Sequence, residues 1–155
     1  MRPTNVPGCA KPNPVPEESR LLELFDLRSA GQPWRRQLRP VHWLAALRTA
    51  AAGRRFIAVV DVAEAMHWYS DRWTHWGHWG HWTEVFGLAA ASAEELGDAS
   101  ATATQLNYRC WALSYCDGDS AAAIATAQRA YAVAESVVDV CQQRWARSCE
   151  ARALV

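Results

Sequence analysis

Residues 73–119 read WTHWGHWGHWTEVFGLAAASAEELGDASATATQLNYRCWALSYCDGD. Two glycine-aspartate pairs punctuate this stretch, Gly97-Asp98 and Gly118-Asp119. Glycine takes the left-handed backbone that ends a helix, and aspartate caps the first turn of the next one. From about Ala101 to Cys116 between them, Ala103, Leu106, Cys110 and Leu113 make one apolar stripe. Tyr108, Trp111 and Tyr115 make a second. A helix with two apolar faces touches two neighbours, so the pattern of helix, glycine corner and helix predicts an all-α stack of hairpins.

The pattern continues in both directions. Before Gly97, the segment from Thr83 to Leu96 places Val85, Phe86, Leu88, Ala89, Ser92 and Leu96 at helical spacing. After Asp119, Ala123, Ala127, Ala130 and Ala134 form a small-residue face on which another helix can lie close, with Ile124, Tyr131 and Val138 as bulk beside it. A last helix from Val140 to Ala153 carries Cys141, Trp145 and Cys149 on one side. Upstream, Phe56, Val59, Val60, Ala63 and Met66 predict a helix running to about Trp73. Val41 to Ala52 predicts another, stopped by Gly53. A short helix is expected from Glu17 to Arg28, opened by Pro16 and acidic in its first turn. Residues 1–16 hold five prolines and are expected to be a disordered tail, leaving 17–155 as one helical domain of six to seven helices.

Composition removes several function classes. Net charge is zero, which argues against a dedicated nucleic-acid binder. No run of eighteen apolar residues exists, so no membrane span is expected. The abundance of alanine, with fifteen arginines and one lysine, reads as codon bias. Five cysteines, an odd number without a C-x-x-C spacing, point to a reducing, cytoplasmic setting in which most are buried free thiols.

The corners recur. Gly80 and Gly118 are thirty-eight residues apart, and Asp98 and Asp139 forty-one. Periods of this length with two helices per unit indicate an α-α superhelix. Leu113-Ser114-Tyr115-Cys116-Asp117-Gly118-Asp119, followed by Ala123 and Ala130, resembles the turn and second helix of a tetratricopeptide repeat. Trp111 and Ala127 depart from that family's pattern, which favours a small residue and an aromatic at those places. Trp43 to Arg48, Ala65 to Trp73, Gly80 to Phe86 and Leu106-Asn107-Tyr108 resemble the repeat region of bacterial signalling regulators of the NB-ARC type. Such regulators carry a nucleotide switch ahead of their repeats, but this chain has no G-x-x-x-x-G-K-[ST]. The resemblance therefore implies a sensor or scaffold portion without the switch. It also implies that Gln105, Tyr108, Arg109, Ala112 and Tyr115 lie along a concave groove that receives a protein or peptide partner.

Residues 67–82 offer a second possibility. Trp68, Trp73, Trp76 and Trp79 could present an aromatic platform, and Trp82 belongs to the same run. His67, His75, His78 and His81 could serve a small ligand or a metal. Steps of three drift round a helix, however, and no cysteine or carboxylate completes a zinc spacing, so neither a metal nor a cofactor is expected. Catalysis has no support. Ser70 and Asp71 beside His67 lie within one helix and lack an oxyanion device. The third possibility is a fragment of a larger regulator, in which a partly bare Cys141, Trp145 and Cys149 stripe drives self-association through 140–155.

Overall fold

The computed structural model describes residues 40–68 and 80–154; of Pro40, Val41, His42, Trp68 and Gly80 it describes the backbone alone. Six α-helices are packed against each other, and no strand occurs among the described residues. They are α1 (Pro40–Ala52), α2 (Phe56–Trp68), α3 (Gly80–Glu95), α4 (Ala99–Ala112), α5 (Ser120–Ser136) and α6 (Val140–Ala153). A single π turn, Leu113–Asp117, extends α4. The expected tail, the helix from Glu17 to Arg28, the stretch beyond Trp68 and the run from Trp73 to Trp79 lie outside the described residues.

Each helix packs against the next in sequence, and α4 packs broadly against both α3 and α5. Alternate helices also meet, α2 with α4 and α4 with α6. The two apolar stripes on α4 meet different neighbours: Leu106, Cys110 and Leu113 of one join Ala90, Ala123, Ala127, Ala130, Ala146, Cys149 and Ala153, while Tyr108 and Trp111 of the other pack with residues of α1, α2 and α3. The alanine face of α5 is buried along its whole length, at Ala123, Ala127, Ala130 and Ala134. Alanine projects only a methyl group, so backbones approach closely there and bulkier neighbours fill the gaps. The largest cluster gathers Leu44 and Leu47 of α1, Val59, Val62 and Met66 of α2, and Trp82, Val85 and Phe86 of α3 around Tyr108.

The corners repeat one geometry. Gly97 has φ +70°; its N–H reaches the Glu94 carbonyl at 2.9 Å, and the next N–H, of Asp98, reaches Ala93 at 3.0 Å. Val138 has φ +58°, with matching bonds from its own N–H to Glu135 at 3.1 Å and from Asp139 to Ala134 at 2.9 Å. Arg54, at φ +56°, sits between α1 and α2 in a related turn, with Arg55 bonding back to Ala50 at 2.9 Å. These are Schellman-type helix ends. Val138 thus takes the same place in its corner that Gly97 takes in the corner between α3 and α4, and is exposed there instead of lending bulk beside the alanine face. At Gly118 the π turn lengthens the span, so Asp119 bonds to Leu113 six residues back.

Aspartate opens each of α4, α5 and α6. Asp98 accepts from the Ala101 N–H at 2.9 Å, Asp119 from Ala122 at 2.9 Å and Asp139 from Gln142 at 3.1 Å. Two of the polar bonds join distant corners: Ser100 Oγ donates to Asp139 at 2.7 Å, and Thr83 Oγ1 donates to Asp117 at 2.7 Å. Outside, Arg48 of α1 forms a bidentate pair with Glu84 of α3 at 2.5 and 2.7 Å, and Arg129 pairs with Glu94.

Candidate functional site

Polar and aromatic side chains from α2, α4 and α6 converge in one layer. Glu64 of α2 accepts two hydrogen bonds from α4, from the Tyr108 hydroxyl at 2.8 Å and from Gln105 Nε2 at 3.1 Å. His67, three residues on and so on the same face of α2, stacks on the Tyr108 ring with centroids 3.6 Å apart and planes 15° apart. Trp145 of α6 meets the other side of this group, edge-on to Tyr108 at 5.1 Å. Phe86 of α3 lies 5.4 Å from Tyr108 and 6.1 Å from His67. Enclosed by rings, the imidazole loses its water, and burial lowers its pKa to about 4. It is therefore neutral near pH 7.

The same layer continues toward α6. Asn107 is fully buried, and its Nδ2 donates to the Gln142 carbonyl at 3.1 Å and to Gln142 Oε1 at 2.9 Å. The side-chain oxygens of Gln105 and Asn107 are buried without a hydrogen-bond partner, a costly state that rigid packing must hold in place. At the open edge, Trp111 and Tyr115 are tilted against one another at 5.6 Å. Tyr115 is 51% exposed, and Arg152 of α6 donates to its hydroxyl at 2.9 Å. The pairing with Tyr115 raises the Arg152 pKa, so the cation is held firmly at this edge.

The groove expected from the repeat resemblance comes out divided. Gln105, Tyr108 and Ala112 are all buried and form the floor that joins neighbouring helices, not an open lining. Tyr115 alone of the five is strongly exposed. Arg109 leans over Gly87 of α3, on a different side of α4. Of the aromatic platform, Trp68 ends α2 with its side chain undescribed, and Trp73, Trp76 and Trp79 lie outside the described residues. Trp82 is buried and stacked on Phe86 at 5.6 Å, so it is a core residue. Sequence reasoning missed Glu64, His67 as a packing partner, Gln142, Trp145 and Arg152 as members of this layer. Their spacing on α2 and α6 marks no common face with α4 until the helices are placed.

The stripe on α6 expected to lie partly bare has Cys141 and Trp145 half-buried and Cys149 buried. Trp145 and Cys149 pack on the core, while Arg144, Arg147 and Arg152 occupy the outer face. Cys110, Cys116 and Cys149 are free thiols, and burial pushes Cys116 up to about 12. Among the described residues no three His, Cys, Asp or Glu side chains gather as a metal site, and His75 and His78 lie outside them. No described helix is long and apolar enough to cross a membrane.

No family model, no curated protein and no solved structure matches the chain.

Proposed function

We propose that this chain is a tetratricopeptide-like scaffold or sensor module, related to the repeat regions of bacterial signalling regulators, that holds a protein segment along α2, α4 and α6. The observation that carries this reading is the tie between alternate helices. Glu64 joins α2 to Tyr108 and Gln105 of α4, and Asn107 joins α4 to Gln142 of α6. In stacked hairpins, the first helices of successive units contact one another in this way and line the inner surface. The recurring corners at Arg54, Gly97 and Val138 support the same reading, since they mark out units of like size.

The exposed edge of the layer gives the module a place to grip. Trp111 and Tyr115 supply apolar area at low entropic cost, and Arg152 beside them favours a carboxylate or carbonyl on the ligand. An extended or helical peptide carrying an acidic residue next to an apolar one fits this chemistry.

Selection of displayed peptides on the full chain, followed by fluorescence anisotropy with the enriched sequences, tests the reading. Saturable binding is expected, weakened tenfold or more by Tyr115→Ala and by Arg152→Ala while the melting curve changes little. Binding that never saturates, or that ignores both substitutions, refutes it.

A further inference from the structure

Between α1 and α2 lies an open apolar hollow of about 300 Å³, in which Ala46, Leu47 and Ala50 of α1 face Ala58 and Val62 of α2. Leu47 and Val62 are buried and form its floor, and the three alanines are half-buried walls. A second hollow of about 370 Å³ adjoins it, sharing Arg55 and Ala58, and is lined further by Phe56, Ile57 and Leu96. Ile57 is 65% exposed and Leu96 43%. Among the described residues α1 packs against α2 and α3, which leave this ground open.

The cations stand at one end. Arg54 and Arg55 sit at the α1–α2 corner, both exposed. Arg54 pairs loosely with Glu95 at 3.8 Å, and Arg55 has no ion pair among the described residues. Asp61 lines the second hollow further along α2. Residues 1–39 precede α1 and lie outside the described residues. Residues 17–28 among them read EESRLLELFDLR. Wound as a helix, this segment puts Leu21, Leu24 and Phe25 on one face, with Glu17 and Glu18 one turn before them. Ser19, Glu23 and Asp26 fall on the opposite side.

We propose that residues 17–28 dock as an amphipathic helix in the α1–α2 hollow, antiparallel to α1. The direction of the chain fixes the orientation. Residues 29–39 lead from Arg28 to Pro40, and Pro40 begins α1 at the end away from the corner. An antiparallel helix of about 18 Å therefore runs back along α1 and brings its first turn to the corner. Glu17 and Glu18 meet Arg54 and Arg55 there, while Arg28 stays at the far end and Arg20 lies within a turn of Asp61. The linker 29–39 reaches up to about 36 Å, against about 10 Å between packed helices, so it imposes no strain on this return. Leu21, Leu24 and Phe25 fill the space above Leu47 and Val62. The alanine walls let the docked helix come close, as the alanine face of α5 does for its neighbours. The polar side of the segment then faces outward and covers an apolar surface, the role of a terminal unit in a stacked array. This surface shares no residue with the edge formed by Trp111, Tyr115 and Arg152, so the two are tested independently.

The test places p-benzoylphenylalanine at position 25 of the full chain in place of Phe25. An equal mixture of isotope-labelled and unlabelled protein is irradiated, and the adducts are mapped by mass spectrometry. Cross-links within one chain to the stretch 46–62 are expected. Hydrogen exchange gives the second readout: amides of 17–28 should exchange about tenfold or more slowly than in an unstructured chain. Arg54→Glu with Arg55→Glu should remove most of that protection while the amides of α4, α5 and α6 keep theirs. Adding Glu17→Arg with Glu18→Arg should restore it. Adducts on α4, α5 or α6, adducts joining labelled to unlabelled chains, unprotected amides in 17–28, or protection that the arginine substitutions leave unchanged would each overturn the proposal.

Discussion

Replacing Val138 with glycine should stabilise the protein. Val138 holds φ at +58°, in the left-handed region, at the corner between α5 and α6. A side chain with a Cβ strains that backbone by about 1–2 kcal/mol, and a β-branched one lies at the upper end. Glycine relieves that strain but loses more freedom on folding, which returns about 0.7 kcal/mol. Val138 is 77% exposed, so the apolar contact given up is small, about 0.4 kcal/mol on the scale for a buried valine. The balance is about 1 kcal/mol in favour of Val138→Gly, or about 2–4 °C in melting midpoint for a chain of this size. The reciprocal change isolates the same quantity. Gly97 holds φ +70°, and a Cβ built there meets nothing within 4 Å, so Gly97→Val should destabilise through the backbone alone. Urea and thermal melts followed by far-ultraviolet circular dichroism measure both. A Val138→Gly chain less stable than the parent by half a kcal/mol or more would refute the reasoning, because it would mean that Val138 contributes contacts which its exposure denies.

Stability should fall on acidification through the window set by His67. Its folded pKa is about 4, below the unfolded value near 6.5, so the unfolded chain binds the extra proton between those limits. About 3 kcal/mol present at pH 7 should be lost as pH drops from about 6.5 to 4, and His67→Phe should flatten that slope in pH-dependent urea melts. Tyr108→Phe removes the hydroxyl that Glu64 accepts from at 2.8 Å and should cost about 1–2 kcal/mol in equilibrium unfolding, with little change in helix content. Asp139→Ala takes away the cap of α6 and should cost about 1–2 kcal/mol. Combined with Ser100→Ala, it should show less than additive loss in a double-mutant cycle, because the two side chains share a hydrogen bond.

The helices from α3 onward were legible because their signals are local. Apolar spacing placed α4, α5 and α6 close to their observed limits, and Gly97 and Gly118 marked two corners by a residue type suited to positive φ. The start of α3 at Gly80, three residues before the expected Thr83, takes in Trp82, which lies one turn before Phe86, packs on it and so begins the apolar period earlier than Val85. The corner at Val138 was not legible as a turn, because valine disguises the left-handed position. Only Asp139, the cap that follows it, announced the break. The π turn at Leu113–Asp117 has no composition signature either.

The division of the expected groove has a different cause. Periodicity shows which side chains share a face of α4. It does not show that α2 and α6 would close over Gln105, Tyr108 and Ala112 while leaving Tyr115 open. Likewise, the stripe on α6 was correctly grouped as Trp145 with Cys149. Its direction depended on α4, which offers Tyr108 and Cys110 as the surface it covers.

Asp139 accepts from the amide of Gln142 and from the hydroxyl of Ser100 with its two carboxylate oxygens, so the beginnings of α4 and α6 hang on one side chain. Asp117 links the end of the α4 rod to Thr83 at the beginning of α3 through a similar bond. A fluctuation that loosens one of these helix starts therefore releases its distant neighbour as well. Amide protons in the first turns of α4 and α6 should trade with deuterium at matched rates, and the array should breathe in coupled steps instead of shedding one helix at a time.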